Sequence, residues 1–376
     1  MADILFIAHE ASRIGSAVFL RDFLAWLAAR GGWSFQIVLG TGGPLAPDFQ
    51  ALGPTTILLD QPDPSPQARA EATRRLQALR AQPFRLVFAN TVCNAPLLPL
   101  LVPPGQPLLV HVMEGRHSIE TMIGAEAFDL HRRLAHRFVA ASTSIRDELV
   151  GPLGVPADRV DCVPCAARLP NLTAEAIAAR RASARQALGI AESDFLVLGA
   201  GTLNWRKAPD LFVQAAYHAK ALAPQAPLRF LWAGRAAEPH MAERLAYAVE
   251  RHGLTDTLQF LDERADLADL YSAADLFALT SREEPLGLVM IEAAAFGRPT
   301  LCFEGAGAAP AFVGTDAGLA VPYGDAAAMG AAILGYRNDP PRRTAEGAKA
   351  RTRALAFHDI KVAGPAMLAA IERTLV

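Results

Sequence analysis

The most informative segment of the chain runs from residue 281 to residue 299 and reads SREEPLGLVMIEAAAFGRP. An apolar run at Leu276–Leu279 precedes it and is typical of a buried strand. Pro285 and Gly287 predict a tight loop, and the residues from Leu288 to Phe296 predict a helix that ends at a glycine. The segment therefore predicts a strand, a loop and a helix in succession, which is the repeating unit of an α/β protein.

The same alternation of short apolar strands and longer helical stretches continues along the rest of the chain. In the first half we predict strands at Ile4–His9, Phe35–Leu39, Thr56–Leu59, Leu86–Ala89, Leu108–Val112, Phe138–Ala141 and Val160–Val163. In the second half we predict them at Phe195–Ala200, Leu228–Ala233, Leu258–Leu261, Leu276–Leu279, Thr300–Phe303 and Leu319–Pro322. Strands that are apolar throughout and flanked by helices are typical of parallel sheets covered on both faces. The sequence therefore predicts an α/β fold with parallel sheets.

A pause in this alternation marks a domain boundary. Residues 168–194 are rich in alanine and arginine and predict helix without a strand. We therefore predict two Rossmann-like domains, residues 1–168 and 169–358, followed by a terminal helix over residues 359–376 that packs back on the first domain. Two such domains are expected to face a central cleft, because ligands of α/β sheets bind at the loops beyond the carboxyl ends of the strands.

Composition narrows the class of protein. The chain has 376 residues, of which 52% are hydrophobic and 20% charged, so it can bury a large core without disulfides or metals. The net charge of −2 argues against a protein built around nucleic acid. No apolar run reaches the ~18 residues of a membrane span, and the N-terminus lacks the basic segment of a signal peptide. We therefore expect a soluble cytoplasmic protein that binds no nucleic acid.

A basic run near the middle of the first domain is open to two interpretations. Arg132, Arg133, His136 and Arg137 are expected either to contact anionic lipid at the inner face of a membrane or to form a solvent-exposed helix end. The first interpretation would make the protein peripheral to a membrane. Both stay open at the level of the sequence.

Two glutamates flank the predicted start of the helix at Leu288. Because the first N–H groups of a helix have no partner within it, a helix start is suited to a phosphate group. Glu284 lies in the loop ahead of this start, and Glu292 lies about 6 Å further along the helix axis. A carboxylate in a helix as apolar as this one is costly without a partner. The spacing therefore predicts a site that binds a phosphate and accepts hydrogen bonds from sugar hydroxyls.

This segment resembles a known protein family. Glu284, Glu292 and the residues around them follow the E-x7-E signature of the retaining glycosyltransferases of family 4, which have the GT-B fold of two Rossmann-like domains. The resemblance implies that Glu284 contacts the donor sugar and that Glu292 holds the ribose of the nucleotide. It also implies that the backbone at Leu286, Gly287 and Leu288 contacts the sugar and the diphosphate.

A second motif lies at residues 199–210 and reads GAGTLNWRKAPD. A strand is expected to lead into a glycine turn at Gly201, and the adjacent cations Arg206 and Lys207 would stabilise a departing diphosphate. The family usually has a lysine at the position of Lys207 and an arginine at that of Thr202. This arginine is absent, and Arg206 is the candidate to replace it; which cation contacts which phosphate stays open, and two solvent-exposed surface cations are the alternative. The resemblance implies that Gly201 and Thr202 line the donor site.

The loop after the first strand reads HEASRIGSA at residues 9–17. Family members commonly have two glycines here, near the donor phosphate and the acceptor, where this chain has Gly15 and Ser16. The resemblance implies that the loop meets the acceptor or a phosphate, with Arg13 as a further contact. Two alternatives stay open, since Ser16 is equally suited to cap the helix that follows and Arg13 to face solvent.

Two further residues are expected to complete the donor site. The family often has a histidine at the end of a first-domain strand, beside the donor sugar, and we assign this role to His111. His117 and Glu114 are its competitors, and a buried core histidine is the alternative. Arg264 follows the strand Leu258–Leu261 and is expected to pack on the nucleotide base.

No metal or cofactor site is predicted. The chain has no Asp-x-Asp motif, and Cys162 and Cys165 lack the second cysteine pair or the histidines of a zinc site. We expect these two cysteines to be buried free thiols. A nucleotide-diphosphate sugar is expected as co-substrate rather than as a bound cofactor.

The motifs and the resemblance together predict a retaining, metal-independent glycosyltransferase. It would move a hexose from a nucleotide-diphosphate donor to a glycan, lipid-linked or small-molecule acceptor, and the family is typical of polysaccharide synthesis. Two alternatives remain, a GT-B epimerase that acts on the nucleotide sugar alone and a nucleotide-sugar-binding protein without catalysis. The changes at Thr202 and Ser16 keep the second alternative open.

Overall fold

The computed structural model describes residues 2–61 and 65–376. The chain divides into two compact units. The first comprises the residues up to Arg168 together with Asp359–Val376, and the second comprises Leu169–His358. Each unit contains one parallel sheet connected by helices, so the predicted α/β fold class is confirmed.

The sheet of the first unit has seven strands in the order β3-β2-β1-β4-β5-β6-β7. The strands are β1 (Ile4–Glu10), β2 (Phe35–Thr41), β3 (Thr55–Leu59), β4 (Leu86–Asn90), β5 (Leu108–Val112), β6 (Arg137–Ala140) and β7 (Val160–Cys162). Every pair of neighbours is parallel. The central strands β4 and β5 are buried along their whole length, as expected of strands covered on both faces.

In the part of this unit that the structure describes, α-helices connect successive strands. They are α1 (Gly15–Arg30), α2 (Ala46–Leu52), α3 (Pro66–Arg80), α4 (Leu98–Leu101), α5 (Arg116–Met122), α6 (Ala125–Leu134) and α7 (Thr143–Val150). Two short 3-10 helices lie at Val92–Leu97 and Ala157–Arg159. Aromatic side chains join α1 to the sheet, with the ring of Phe23 6.1 Å from that of Phe6.

The sheet of the second unit has six parallel strands in the order β10-β9-β8-β11-β12-β13. The strands are β8 (Phe195–Ala200), β9 (Leu228–Ala233), β10 (Leu258–Leu261), β11 (Leu276–Leu279), β12 (Thr300–Phe303) and β13 (Gly318–Val321). The helices are α8 (Ala174–Ala187), α9 (Pro209–Leu222), α10 (Met241–Arg251), α11 (Ala268–Ala273), α12 (Leu288–Ala295), α13 (Ala309–Val313), α14 (Ala326–Asn338) and α15 (Pro340–Phe357). Phe212 of α9 packs edge-on against Trp232 of β9 at 5.2 Å, which anchors that helix on the sheet.

The last helix, α16 (Ile360–Thr374), belongs to the first unit although it follows the second in sequence. The backbone N–H of Ile360 donates to the carbonyl of Ala167 at 2.9 Å. Gly364 allows a close approach to α1, since a Cβ there would lie 2.7 Å from the indole of Trp26. Leu368 and Ile371 are buried on the same helix.

Each strand predicted from the sequence is found, with its ends shifted by at most two residues. The helix predicted over Leu288–Phe296 is α12, which ends one residue earlier. Continuous apolar runs predict the positions of these strands because a strand buried on both faces needs an apolar side chain at every position.

The basic run of the first unit lies at the end of α6 and the start of β6. Arg132 Nη2 is 3.0 Å from Asp129 Oδ1, and Arg137 Nε is 2.9 Å from Asp161 Oδ2. Acidic partners therefore offset two of its charges, and the predicted contact with anionic lipid stays a prediction. Within residues 2–61 and 65–376, no helix combines the length and the apolar character needed to cross a bilayer.

Candidate functional site

The second sheet has one point at which the order of its strands reverses. It lies between β8 and β11, which are neighbours although the chain forms β9 and β10 between them. The connections that follow these two strands leave in opposite directions, and the crevice between them is the usual position of ligands in open α/β sheets. Both sequence motifs, residues 199–210 and 281–299, lie at the ends of these two strands.

The loop after β8 holds the side chain of Lys207 close to the backbone. Gly201 has a φ of 135°, and a Cβ at this position would lie 3.3 Å from the Lys207 stem. The backbone N–H of Lys207 donates to Asn204 Oδ1 at 2.9 Å. Ala208 adopts the left-handed conformation, with φ 52° and ψ 56°, and its carbonyl accepts from Thr280 Oγ1 at 3.0 Å. Local turns and the contacts of Thr280, directly after β11, with the Lys207 and Ala208 carbonyls thus fix this loop.

The loop after β11 is fixed by a neighbouring glycine. Glu284 pairs with Gly307 in an isolated parallel bridge, and the N–H of Ala308 donates to the Glu284 carbonyl at 3.1 Å. Gly307 has a φ of 134°, and a Cβ there would lie 2.0 Å from the Glu284 carbonyl oxygen. Only glycine fits so close to that backbone, so Gly307 sets the position of Glu284.

Glu284 and Lys207 form a buried ion pair at this sheet edge. Oε2 of Glu284 accepts hydrogen bonds from Lys207 Nζ and from Ser281 Oγ, the latter at 3.0 Å. Arg206 Nη1 lies 3.7 Å from Oε1 of the same carboxylate. The side chains of Glu284 and Lys207 are 4% and 12% exposed, whereas that of Arg206 is 33% exposed. One carboxylate therefore faces two cations, and these three side chains together carry a positive charge.

The charges in this cluster shift one another's pKa. Burial alone would raise the pKa of Glu284, but the charges of Lys207 and Arg206 outweigh burial, so the pKa lies below its ordinary value. Burial lowers the pKa of Lys207, while the Glu284 carboxylate opposes this shift. Glu284 is therefore ionised at neutral pH and can act as a hydrogen-bond acceptor.

Arg282 joins the two loops. Its backbone N–H donates to the carbonyl of Arg206 at 2.8 Å, and its guanidinium donates to the carbonyl of Trp205 at 2.8 Å. The same guanidinium forms two hydrogen bonds with the Asp210 carboxylate, at 3.1 and 2.6 Å. The two loops that carry Lys207 and Glu284 are therefore held together by contacts other than the ion pair.

Helix α12 begins at Leu288, directly after Gly287, as predicted. Leu286 and Leu288 are buried, so their backbone rather than their side chains is what this loop can offer to a ligand. Glu292, one turn into the helix, accepts a hydrogen bond from the Tyr271 hydroxyl at 2.7 Å. Burial and then the Glu292 charge raise the pKa of Tyr271 well above its ordinary value, so this hydroxyl stays a donor.

In the first unit the strand order reverses between β1 and β4, next to the loop predicted to meet the acceptor. Helix α1 begins at Gly15, and Ile14 at its N-cap provides no side-chain cap. Ser16 lies inside the first turn, so the alternative that its hydroxyl caps the helix is wrong. Its carbonyl accepts from Asn90 Nδ2 at 2.8 Å, which ties the helix start to β4. Gly15 and Arg13 are exposed, as a ligand contact requires.

His111 is buried in the core of the first unit. Its Nδ1 lies 3.1 Å from Asn90 Oδ1, and the Phe19 ring is 4.6 Å from the imidazole. The residue has 0% exposure, and burial lowers its pKa to about 3. An imidazole without exposed surface cannot touch a sugar, so the predicted role of His111 is corrected in favour of a neutral core histidine. Glu114, its competitor, lies beyond β5 and accepts from the N–H of Met113 at 3.0 Å.

Two family models match this chain. The model described as "Glycosyl transferase 4-like domain" matches residues 15–166, and the one described as "Glycosyl transferases group 1" matches residues 194–339. One match lies in each unit, and together they cover more than half of the chain. The chain belongs to the GT4-like glycosyltransferases of the GT-B fold. The predicted family and fold are thus confirmed.

Curated relatives match the chain over part of their length. The D-inositol 3-phosphate glycosyltransferase of Kineococcus radiotolerans is 33% identical over 240 residues, which are 59% of this chain and 54% of the relative. The lipopolysaccharide core biosynthesis mannosyltransferase LpsB of Rhizobium meliloti is 32% identical over 178 residues, 46% of this chain and 50% of the relative. The chain therefore spans about half the length of the curated relatives it matches.

Solved structures share the fold over nearly the whole chain. Anabaena HepE in complex with UDP and glucose has a TM-score of 0.84 and 20% identity, covering 99% of this chain and 100% of that one. Sucrose-phosphate synthase from Thermosynechococcus elongatus has a TM-score of 0.80 and 21% identity, covering 99% of each chain. At these identities the likeness concerns the fold alone.

The other residues predicted for the donor site are spread along the carboxyl edge of the second sheet. Thr202 is half-buried and follows Gly201 in the loop after β8. Arg264 is exposed in the loop after β10, the edge strand, and two strands separate that strand from β11. Arg264 is thus not brought to Glu284, and its contact with a base stays a prediction.

Across residues 2–61 and 65–376, no three or more His, Cys, Asp or Glu side chains lie close enough together to hold a metal ion. Cys162 and Cys165 are free thiols. Cys165 is buried as predicted, whereas Cys162 is only half-buried because it ends an edge strand.

Sequence reasoning missed the residues that position the glycosyltransferase motifs. Tyr271 lies 21 residues before Glu292, and no spacing pattern connects the two. Arg282 and Ser281 stand within the quoted segment, but a sequence does not show which loop each of them contacts. The sequence did contain one signal. Trp205 stands beside Arg206 and Lys207, and Arg282 stands two residues before Glu284, so a cation–π contact between the two loops could have been considered.

Proposed function

We propose that this chain is a retaining glycosyltransferase that moves a hexose from a nucleotide-diphosphate donor to a glycan, lipid-linked or small-molecule acceptor. The observation that carries the proposal is the cluster of Lys207, Arg206 and Glu284 at the strand reversal of the second sheet. It combines an excess of positive charge, suited to a diphosphate, with an ionised carboxylate, suited to sugar hydroxyls. Relatives named as glycosyltransferases and a fold shared with a UDP-binding protein support it.

Donor binding is proposed to exchange the partners of Lys207. A diphosphate competes with Glu284 for the ammonium group, and Arg206 supplies a second charge to the phosphates. Glu284, released from Lys207 and still held by Ser281, then accepts hydrogen bonds from hydroxyls of the donor sugar. Glu292, oriented by the Tyr271 hydroxyl, is assigned to the ribose.

The transfer itself is proposed to proceed with retention at the anomeric carbon. The bond from this carbon to the diphosphate breaks, and a bond to the acceptor oxygen forms on the same face of the ring. The acceptor proton passes to the departing diphosphate, so no protein group is needed as general base. Lys207, Arg206 and the backbone N–H groups at the start of α12 stabilise the negative charge, which is the part a metal ion plays in other transferases.

The acceptor is assigned mainly to the loop after β1 in the first unit. Gly15 and Arg13 are exposed there, and Ser16 is fixed by its backbone contact with Asn90. An arginine at this position suits an acceptor that carries hydroxyl or phosphate groups. Exchange of Arg13 for alanine should therefore raise the KM for the acceptor and leave donor binding unchanged.

A thermal-shift panel of UDP, GDP and ADP with their hexose derivatives tests the donor class. A nucleotide at 100 times its Kd should add about 2.7 kcal/mol to the free energy of unfolding. Donor turnover then separates the alternatives, because an epimerase would return a new sugar isomer still attached to the nucleotide. Binding without any release of the sugar would contradict the proposed catalysis, and a panel without any shift would contradict the proposed donor.

A further inference from the structure

Two exposed aromatic side chains lie beside the loop that carries Glu284. Trp205 is 51% exposed and directly precedes Arg206. Tyr323 is 56% exposed in the turn after β13, and its hydroxyl donates to the carbonyl of Arg282 at 3.1 Å. Both side chains therefore contact Arg282, two residues before Glu284: Tyr323 through its hydroxyl on the Arg282 carbonyl and Trp205 through its ring against the Arg282 guanidinium. We call Trp205 and Tyr323 the aromatic shelf.

The shelf is held in place before any ligand binds. The guanidinium of Arg282 lies over the indole of Trp205, 5.4 Å from the ring centre, and is itself fixed by two hydrogen bonds to Asp210. Behind Tyr323, the ring of Phe303 lies 6.3 Å away. Fixed side chains lose little conformational entropy on binding, so such a surface suits a ligand that supplies only modest contact area.

We propose that the aromatic shelf stacks against a pyranose ring of the acceptor. This inference rests on the proposed function and adds that the acceptor is a glycan rather than a small acyclic polyol. The C–H groups on one face of a pyranose are apolar and carry partial positive charge, which matches the negative face of an aromatic ring. The hydroxyls at the rim of the same sugar need polar neighbours. Arg282, paired with Asp210, lies over the Trp205 ring, and Glu238 Oε1 is 3.4 Å from the backbone N of Trp205.

Charge and burial select this occupant over others. A lipid phase or an apolar protein face would have to desolvate the Arg282–Asp210 ion pair, whose guanidinium lies over the Trp205 ring. The donor hexose is assigned to the buried Glu284, whereas both side chains of the shelf are about half exposed. The acceptor sugar is therefore the ring that the shelf is placed to receive.

Saturation-transfer NMR with three probes tests the proposal. The probes are the methyl α-pyranosides of glucose, mannose and galactose, and mannitol serves as an acyclic comparator. The nucleotide that gives the largest thermal shift is included at saturation so that a probe cannot occupy the nucleotide site, and the Trp205 and Tyr323 variants separate the shelf from the hexose position at Glu284. At least one glycoside should bind, and Trp205→Ala should weaken its binding about tenfold, whereas Trp205→Phe should stay within about threefold of the natural protein.

A matched pair of tyrosine variants provides the control. Tyr323→Ala should weaken the same glycoside, whereas Tyr247→Ala should not, although Tyr247 is 64% exposed on α10 of the same unit. Absence of glycoside binding, equal binding by Trp205→Ala, or Trp205-dependent binding to phosphatidylglycerol vesicles alone would each overturn the proposal. If no nucleotide of the panel produces a thermal shift, the proposed function fails, and the glycoside series is then read without a nucleotide.

Discussion

Lys207 and Glu284 lie 77 residues apart in sequence and share a hydrogen bond in the structure. Each of them can be buried only because the other is there, since a lone buried charge is costly. Arg206 adds a second cation 3.7 Å from the carboxylate, so these three residues have one positive charge in excess. A diphosphate would neutralise that excess charge. The Glu284 carboxylate competes with the diphosphate for Lys207, and it also accepts hydrogen bonds from the sugar.

Exchange of Glu284 for glutamine should separate these two roles. The affinity for UDP should rise about tenfold, because Lys207 no longer has a competing carboxylate. Sugar transfer should fall at least about a hundredfold, since the acceptor for the sugar hydroxyls is weakened. Calorimetric titration with UDP and a donor-turnover assay measure the two effects. Glu283→Gln, at the neighbouring half-buried position, is the control and should change neither; weaker UDP binding by Glu284→Gln would contradict the exchange of partners.

Two buried histidines should give the first unit a pH-dependent stability. Burial lowers the pKa of His111 to about 3 and that of His131 to about 4, both below the ordinary 6.5. The unfolded chain then binds protons that the folded chain does not, so the free energy of unfolding is highest above pH 6.5 and falls as the pH drops towards 4. Each histidine contributes up to about 1.4 kcal/mol per pH unit in that window. Urea unfolding of His111→Gln should show a shallower acid slope than the natural chain, and equal slopes would count against the buried neutral imidazole.

At the scale of elements, the loop after β12 supports the loop after β11. Gly307 and Gly305 both have positive φ, but only at Gly307 would a Cβ meet backbone, 2.0 Å from the Glu284 carbonyl. Gly305→Ala should cost about 1 kcal/mol of stability from backbone strain alone. Gly307→Ala should cost more and should also weaken UDP binding, because the Glu284 loop must move. Thermal melts with and without UDP check this, and similar effects of the two substitutions would be inconsistent with the role of the bridge.

The elements themselves could be predicted from the sequence, and the reasons are local. β8 and β11 are apolar at every position, and the glycine and proline around residues 285–287 mark the start of α12. The start of α1 could not be predicted from a cap residue, because Ile14 at its N-cap provides none and the Asn90 side chain instead donates to the Ser16 carbonyl. A tertiary contact of this kind leaves no trace in the local pattern.

The residues of the candidate site could be predicted from the sequence, but the hydrogen bonds between them could not. Glu284 and Lys207 were each indicated by the chemistry of their own motif, yet their hydrogen bond, and that of Tyr271 to Glu292, depends on strand order. His111 was misplaced for a related reason. In a strand buried on both faces, apolar neighbours do not show which side of the sheet a polar residue faces.

At the scale of the molecule, α16 makes the first unit discontinuous in sequence. Leu368 of α16 is 4% exposed within that unit, whereas Val362 of the same helix is 49% exposed. Leu368→Ala should lower the stability of the first unit by about 2–5 kcal/mol, and Val362→Ala should change it by less than about 0.5 kcal/mol. Hydrogen exchange should accelerate in β4 and β5 of Leu368→Ala and stay unchanged in β8 and β11. Acceleration confined to the second unit would refute this assignment of the helix.

The central claim is that the strand reversal of the second sheet binds a nucleotide diphosphate through Lys207. A crystal structure with the nucleotide sugar that gives the largest thermal shift tests it most directly. The account predicts phosphate oxygens within hydrogen-bond distance of Lys207 Nζ and of the N–H groups at the start of α12, with Glu284 turned to the sugar. Lys207 still bonded to Glu284, with the nucleotide bound elsewhere, would contradict it.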